Sequence, residues 1–433
     1  MKFSRRCLIS KFPVALVTLP NIACTRPSKE PGSTPERESL HLAEMTLEEL
    51  HRVYQKELQE DLGFWDKHGV DMEHGGFMCS MDHDGTLLST EKNIMFQGRG
   101  LWVYSFLYRH FGKNRKHFDI ARKVKEFLFK HARQQDSTWA DVVSREGTIT
   151  TPFQGNVYSG LYVAEGLHEY SQASGDKEAH EVAVRTLLKC MDCYEQASYG
   201  NRTESYPVGS RQQGVEMIVI PLLTQMLQSH PDSQLEKFQA RAMAAVTQKF
   251  FNPRFRLHNE ILRHDYSRYE DEKWRDYVHL GFSIANFWGI LLEAVRLKDR
   301  ELFGTVADRL HRHLEVAWDE VYGGLGWSMQ IHKGCVDYRK ASYVHGEAMI
   351  GLLTVIERLG SPWARDWYAR IHRYAFENFP IRRYPGWHSY MDRHCTPQEH
   401  VTRRENYHHP RYLMLSLQII DRLIERAGRA VWW

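Results

Sequence analysis

Acid–base chemistry at neutral pH asks for imidazoles, and this chain places three at the expected starts of apolar helical runs. They stand in His279-Leu280-Gly281-Phe282, His345-Gly346-Glu347 and His408-His409-Pro410-Arg411. An imidazole titrates near neutrality and can take or give a proton. Pro410 suits the first turn of a helix, which leaves His408 on the loop side. A fourth such entry reads Gln97-Gly98-Arg99, ahead of the run Leu101–Tyr108. A lone arginine there needs a partner or a ligand. Two more entries are Gln154-Gly155-Asn156 and Arg211–Glu216. A glutamate near a helix start is also favourable dipole chemistry, so Glu347 carries a structural reading beside the functional one.

These entries belong to a regular series of helices. Thr46 to Glu49 forms a capping-box start, followed on one face by Leu47, Leu50, Tyr54 and Leu58. Further helical patterns run over 97–111, 114–133, 153–173, 176–198, 211–229, 233–251, 279–297, 300–315, 341–359, 361–378 and 409–426. The links alternate. Gly112-Lys113, Ser174-Gly175, His230–Asp232, Lys298 and Gly360 are short, whereas 62–96, 134–152, 199–210, 252–278, 316–340 and 379–408 are long. Short links force antiparallel neighbours. The alternation predicts an all-α fold, an (α/α)6 barrel or toroid of six helical hairpins. An open solenoid would need polar end caps, which the sequence does not show. Phe64-Trp65-Asp66 precedes Gly75-Gly76, and Trp318-Asp319 precedes Gly323-Gly324. Both tracts, and Tyr384–Arg393 with its Trp387, fall in long links and suit short β-hairpins. The long links are expected on one face, around a central cavity.

The chain has 433 residues, of which 57 are basic and 54 acidic, so its formal charge of +3 gives no reason to expect nucleic acid. Residues 1–24 have a basic start, an apolar middle and small residues near Cys24. Ser4-Arg5-Arg6 before Cys7-Leu8-Ile9 resembles a twin-arginine export signal, and Ile22-Ala23-Cys24 a weak lipoprotein site with Cys24 as the candidate lipid anchor. The expected organisation is an export signal at 1–24, a flexible linker at 25–44 and one domain at 45–427. The protein would then be periplasmic or a membrane-anchored lipoprotein; a cytoplasmic protein with a basic tail is the alternative. No later segment reads as long and apolar enough to span a bilayer. Five cysteines follow the leader, an odd number unsuited to a disulfide framework. Cys190-Met191-Asp192-Cys193 lies in a helical stretch with no second pair, so no metal site is expected.

The order and spacing of several stretches resemble the N-acylglucosamine 2-epimerase family, which includes cellobiose 2-epimerases and aldose–ketose isomerases acting on mannose. The stretches are FWDKHGVDMEHGGF, MFQGRGLWVYSFLYRHFG, WDEVYGGL, YRKASYVHGEAMIGLL and YHHPRYLML. The resemblance covers about residues 45–427. It implies an (α/α)6 barrel, no cofactor, a small-molecule carbohydrate substrate and a monomer or homodimer. It also implies proton abstraction at C2 of a free reducing sugar through an enediolate. Inversion at C2 by such chemistry needs two weak acid/base groups on opposite faces and a cation or donor at the carbonyl oxygen. Arg99 matches the family's enediolate-stabilising arginine and His408 its C-terminal catalytic histidine. His345 and Glu347 match a polar pair, although Ser342 and Tyr343 stand where the family has tryptophans. One stretch departs from the pattern: Phe282 and Ala285 occupy the places of a histidine and its glutamate. His279 is the nearest replacement base in sequence. The expected catalytic set is therefore His408, Arg99, His279 and Glu347, with His345, Tyr343, Phe282, Trp387 and Asn156 binding substrate. Two alternatives stay open. One is a catalytically silent sugar-binding member. The other is a glycoside hydrolase or lyase, for which Glu216 and Glu347 are the available mouth carboxylates.

Overall fold

The computed structural model describes residues 40–200 and 206–432. The expected export signal and most of the expected linker lie outside them. Residues His41–Leu42 pair with Met45–Thr46, so the folded domain begins somewhat before residue 45. It also runs beyond residue 427, since the Val431 amide donates to the Glu357 carbonyl at 3.0 Å.

Twelve α-helices stand among the described residues. They are α1 (Leu47–His68), α2 (Ile94–His110), α3 (Arg115–Phe127), α4 (Val157–Ser174), α5 (Lys177–Tyr194), α6 (Gln213–Ser229), α7 (Ser233–Ala244), α8 (Leu280–Leu297), α9 (Arg300–Ala317), α10 (Ser342–Leu359), α11 (Pro362–Asn378) and α12 (His408–Glu425). Both α3 and α7 continue into one wide π turn, Leu128–Ala132 and Ala245–Lys249. The short links are tight because Gly175, Lys298 and Gly360 end their helices in the left-handed conformation, with φ of 79°, 58° and 62°. On the outer helices Asp176, Asp232 and Asp299 cap the starts by accepting backbone N–H groups.

The even-numbered helices form a closed inner ring, each packed on the next, with α12 returning to α2. They are apolar on nearly all sides because they are covered on nearly all sides. Helix α8 is long and apolar enough to cross a membrane by composition, contrary to the sequence expectation, but 72% of it is buried inside the ring. The odd-numbered helices cover the ring from outside. Five pairs are the expected hairpins; the sixth is made by the chain ends, α1 lying on α12.

The long links are stitched to one another. Lys92–Asn93 pairs with Val142–Val143, Arg211–Gln212 with Ile261–Leu262, Tyr277–His279 with Ser328–Gln330, and Lys340–Ala341 with Tyr390–Met391. In each case a strand entering an inner helix pairs with a strand in the next long link. Only part of the β-structure is therefore hairpins within single links. The double-glycine tracts do share one architecture, with a shifted correspondence. Val70 bridges to Phe77 as Trp318 bridges to Leu325, so Asp71, and not Asp66, is the counterpart of Asp319. Asp66 accepts from Tyr104 and Lys116 instead.

Each of these aspartates is a buried latch. Asp71 accepts from Lys92 Nζ at 2.9 Å and Arg145 Nε at 2.9 Å. Asp319 accepts from Lys340 Nζ at 3.4 Å and Arg393 Nε at 2.8 Å. Burial alone would raise both carboxyl pKa values. The arginine bonds, with the lysines behind them, instead hold both far below the usual range. The turns need glycine: φ is 83° and 94° at Gly75 and Gly76, and a Cβ on Gly76 would come within 2.5 Å of Gln97 Oε1. Removing one partner of a buried pair strands the other charge, which costs about 3–5 kcal/mol. Asp71→Ala and Asp319→Ala should each lower stability by about that much in urea denaturation; losses near zero would contradict the latch.

Candidate active site

The N-terminal ends of the inner helices open on a cavity of about 570 Å³. His408 lines it from the first residue of α12. Its Nδ1 lies 2.9 Å from Glu347 Oε1. Glu347, in the second turn of α10, is 1% exposed and also accepts from the Arg411 guanidinium and the Trp288 indole. Burial would raise its pKa. Arg411 first, then His408 and Trp288, hold it below its ordinary value. An ionised carboxylate only accepts, so the shorter Glu347 contact draws the His408 proton to Nδ1 and leaves the Nε2 lone pair free, against the donor-only Arg411 Nη2, which stands 3.2 Å from the same nitrogen. Burial keeps the His408 pKa below its ordinary value of 6.5 against the opposing pull of Glu405 and Glu347. The imidazole is thus a neutral base at pH 7, with its proton drawn to Nδ1 by Glu347. Arg411 is steadied in turn by Tyr407, whose hydroxyl lies 3.0 Å away and donates to Glu165.

Arg99 lines the same cavity from the second turn of α2. Its guanidinium stands 4.1 Å over the Tyr162 ring, and Nη1 donates to Glu405 Oε1 at 3.4 Å. The other Glu405 oxygen accepts the His408 amide at 2.8 Å. Glu405 thus joins the arginine to the histidine. It lies in the last long link, and sequence reasoning missed it; its only signal was a carboxylate three residues ahead of His408.

Four of the expected binding residues line the cavity: Asn156, Phe282, Tyr343 and Trp387. The Tyr343 ring centre is 5.0 Å from that of His408. Asn156 also caps α4, accepting the Tyr158 amide at 3.0 Å.

Three expectations need correction. His279 is 2% exposed and does not line the cavity. Its Nδ1 accepts the Phe282 amide at 3.2 Å, capping α8, and its ring stacks on Phe282 at 3.8 Å. Burial pushes its pKa down to about 3, so it is a neutral acceptor and not a replacement base. His345 is wholly buried with both nitrogens engaged: Nδ1 donates to Ala341 O at 2.9 Å and Nε2 accepts from Leu325 N at 2.9 Å. It ties the second double-glycine turn to α10, as Gln97 ties Phe77 of the first to α2, and it cannot reach a substrate. Glu347 touches His408 but lies behind the cavity wall, so it positions and does not contact substrate. The carboxylate pair suggested for hydrolysis fails similarly. Glu216 is buried away from the cavity, with burial pushing its pKa up to about 7 against Arg211. The cysteines of the CxxC spacing are free thiols, Cys190 buried against Gly160.

A cap is worth about 1 kcal/mol. His279→Ala should therefore lower the thermal midpoint by a few degrees, while the His408 imidazole titration followed by NMR stays unchanged. A shifted His408 titration would return His279 to the site.

A family model described as N-acylglucosamine 2-epimerase matches residues 75–411. The N-acylglucosamine 2-epimerase of Mus musculus is 24% identical over 400 residues, covering 88% of this chain and 94% of the relative. Among solved structures, the cellobiose 2-epimerase of Bacillus thermoamylovorans superposes with a TM-score of 0.75 at 19% identity, over 86% of this chain and 99% of that one. A D-mannose isomerase superposes with a TM-score of 0.74 at 14% identity, over 86% and 97%. The helical ring, its stitched rim and a family match that takes in Arg99, His408 and Arg411 place this chain in the N-acylglucosamine 2-epimerase family.

Proposed function

We propose that the protein is a carbohydrate epimerase or isomerase that works on a free reducing sugar by removing the C2 proton through an enediolate. The carrying observation is the His408–Glu347 pair beside Arg99 in one aromatic-walled cavity. Nε2 of His408 takes the proton from C2 of the open-chain sugar. The C–H electrons form the C1–C2 double bond, and the carbonyl oxygen becomes negative beside Arg99, a buried cation poised for that charge. Glu347 stabilises the imidazolium as it forms. Tyr343 and Trp387 supply apolar wall to the sugar's C–H surface. Returning the proton to C1 gives the ketose; delivering one to the opposite face of C2 gives the epimer. The site's own chemistry for this first step requires no group beyond these residues.

Export is a second part of the proposal. The twin arginines, the apolar stretch and Cys24 support a mature chain outside the cytoplasm, held by lipid if Cys24 is the acceptor. Mass spectrometry of native protein should find residues 1–23 removed. An intact leader would count against export and leave the cytoplasmic alternative.

Proton NMR in D₂O tests the chemistry directly. Mannose, N-acetylglucosamine and cellobiose represent the sugars in the relatives' names, and at least one of them, or glucose, should gain deuterium at C2. His408→Asn should lower turnover about 10²–10⁴-fold, the usual worth of a positioned acid/base group. Since the neutral imidazole is the active form, kcat/KM should fall as pH drops through the His408 pKa. That limb should lie below pH 6.5. Turnover that rises as pH falls through that limb would oppose the assignment.

A further inference from the structure

Inversion at C2 needs a second proton-transfer group, and Phe282 has none to offer. We propose that His409, oriented by Glu57, is that group and serves the face of C2 opposite to His408. The inference rests on the epimerase reading above.

His408 and His409 open the same helix, and successive helical positions point about 100° apart. Both line the cavity, and their rings pack among different neighbours. The His408 ring lies against Tyr343 and Tyr407. That of His409 lies 4.7 Å from the Trp387 ring and 5.4 Å from that of Tyr412. Each imidazole has its own carboxylate. For His408 it is Glu347 of the inner ring; for His409 it is Glu57 of the outer helix α1, whose Oε1 lies 3.2 Å from Nε2, in ion-pair reach though off the ideal hydrogen-bond line. Burial would raise the Glu57 pKa, but His409 and the Trp387 indole bring it below its ordinary value. The carboxylate therefore favours a proton on Nε2 and leaves Nδ1 for chemistry. His409 Nδ1 is buried and meets no hydrogen-bonding partner among the described residues, an orphan expected where a ligand is to bind. Asp61, one turn after Glu57, lines the cavity with an unpartnered Oδ2 of its own. Arg404, buried beside Asp61, and Glu405 are further charges that act at this wall.

His408 takes one proton from C2, and the enediolate forms with its charge on the carbonyl oxygen. Protonated His409 gives its Nδ1 proton to the other face of C2 while the carbonyl re-forms. His408 ends protonated and His409 neutral, and exchange with solvent resets both. The opposite epimer reacts with the two roles reversed.

Two-base catalysis has a signature that a structural histidine cannot give. The test follows C2 deuterium uptake in D₂O, starting separately from each member of an epimer pair such as glucose and mannose or N-acetylglucosamine and N-acetylmannosamine. His409→Asn should leave exchange of one epimer within about twofold of the unmodified protein and cut that of the other about 100-fold. His408→Asn should show the mirror image. Glu57→Gln should lower interconversion about tenfold in kcat with little change in KM, as for a group acting through His409. The retained exchange is its own proof of folding. If His409→Asn exchanges both epimers normally, or loses both while circular dichroism shows a folded chain, the assignment is overturned. Unmodified protein yielding only ketose would also overturn it. If the unmodified protein exchanges no epimer at all, the epimerase reading itself fails, and its failure is seen before any variant is made.

Discussion

A carboxylate buried near the axis of a helical ring must be either protonated or neutralised, and Glu347 is neutralised. Arg411 supplies the positive charge, and the oxygen it holds also faces His408 Nδ1. That shared oxygen draws the histidine's proton to Nδ1, in competition with the Arg411 N–H 3.2 Å from the same nitrogen, and keeps Nε2 available. Breaking such a pair strands a buried charge, so the arrangement is rigid. The groups concerned come from four inner helices: Glu165 from α4, Trp288 from α8, Glu347 from α10, and His408 with Arg411 from α12. Only closure of the ring brings them together.

The rim is what holds the helix ends in register. Each strand that enters an inner helix is paired to the next long link, so the entries cannot drift independently. Two buried Asp–Lys–Arg latches reinforce this at related places, around Asp71 and Asp319. The two latches differ in one telling detail. Where Gln97 clasps Phe77, the second latch uses His345 on Leu325. A histidine there does the work of an amide, which is why its burial leaves it inert.

The helices were legible in the sequence because their apolar periods are regular and their short links are marked by glycine or by a polar cap. Ring closure followed from the alternation of link lengths, although the pairing of α1 with α12 leaves no local trace. The site was legible only in part. His279, His345 and His408 look alike in sequence, since each precedes or opens an apolar helix. What separates them is the chain folded over them: an amide and a carbonyl saturate His345, Phe282 covers His279, and a carboxylate orients His408. Glu405 and Glu57 escaped notice because one sits in an irregular link and the other on an outer helix. The repeated Trp-Asp pair was misleading, as the equivalent of Trp318 is Val70.

Proton abstraction depends on the His408 tautomer. Nitrogen-15 NMR of histidine-labelled protein at neutral pH, with His408→Asn used to assign the signals, reads it directly. The structure predicts a His408 ring protonated at Nδ1 alone, with a non-protonated Nε2, and loss of that fixed tautomer in Glu347→Gln. A proton on Nε2 alone, or an imidazolium at pH 7, would leave no base on the cavity side and would contradict the mechanism.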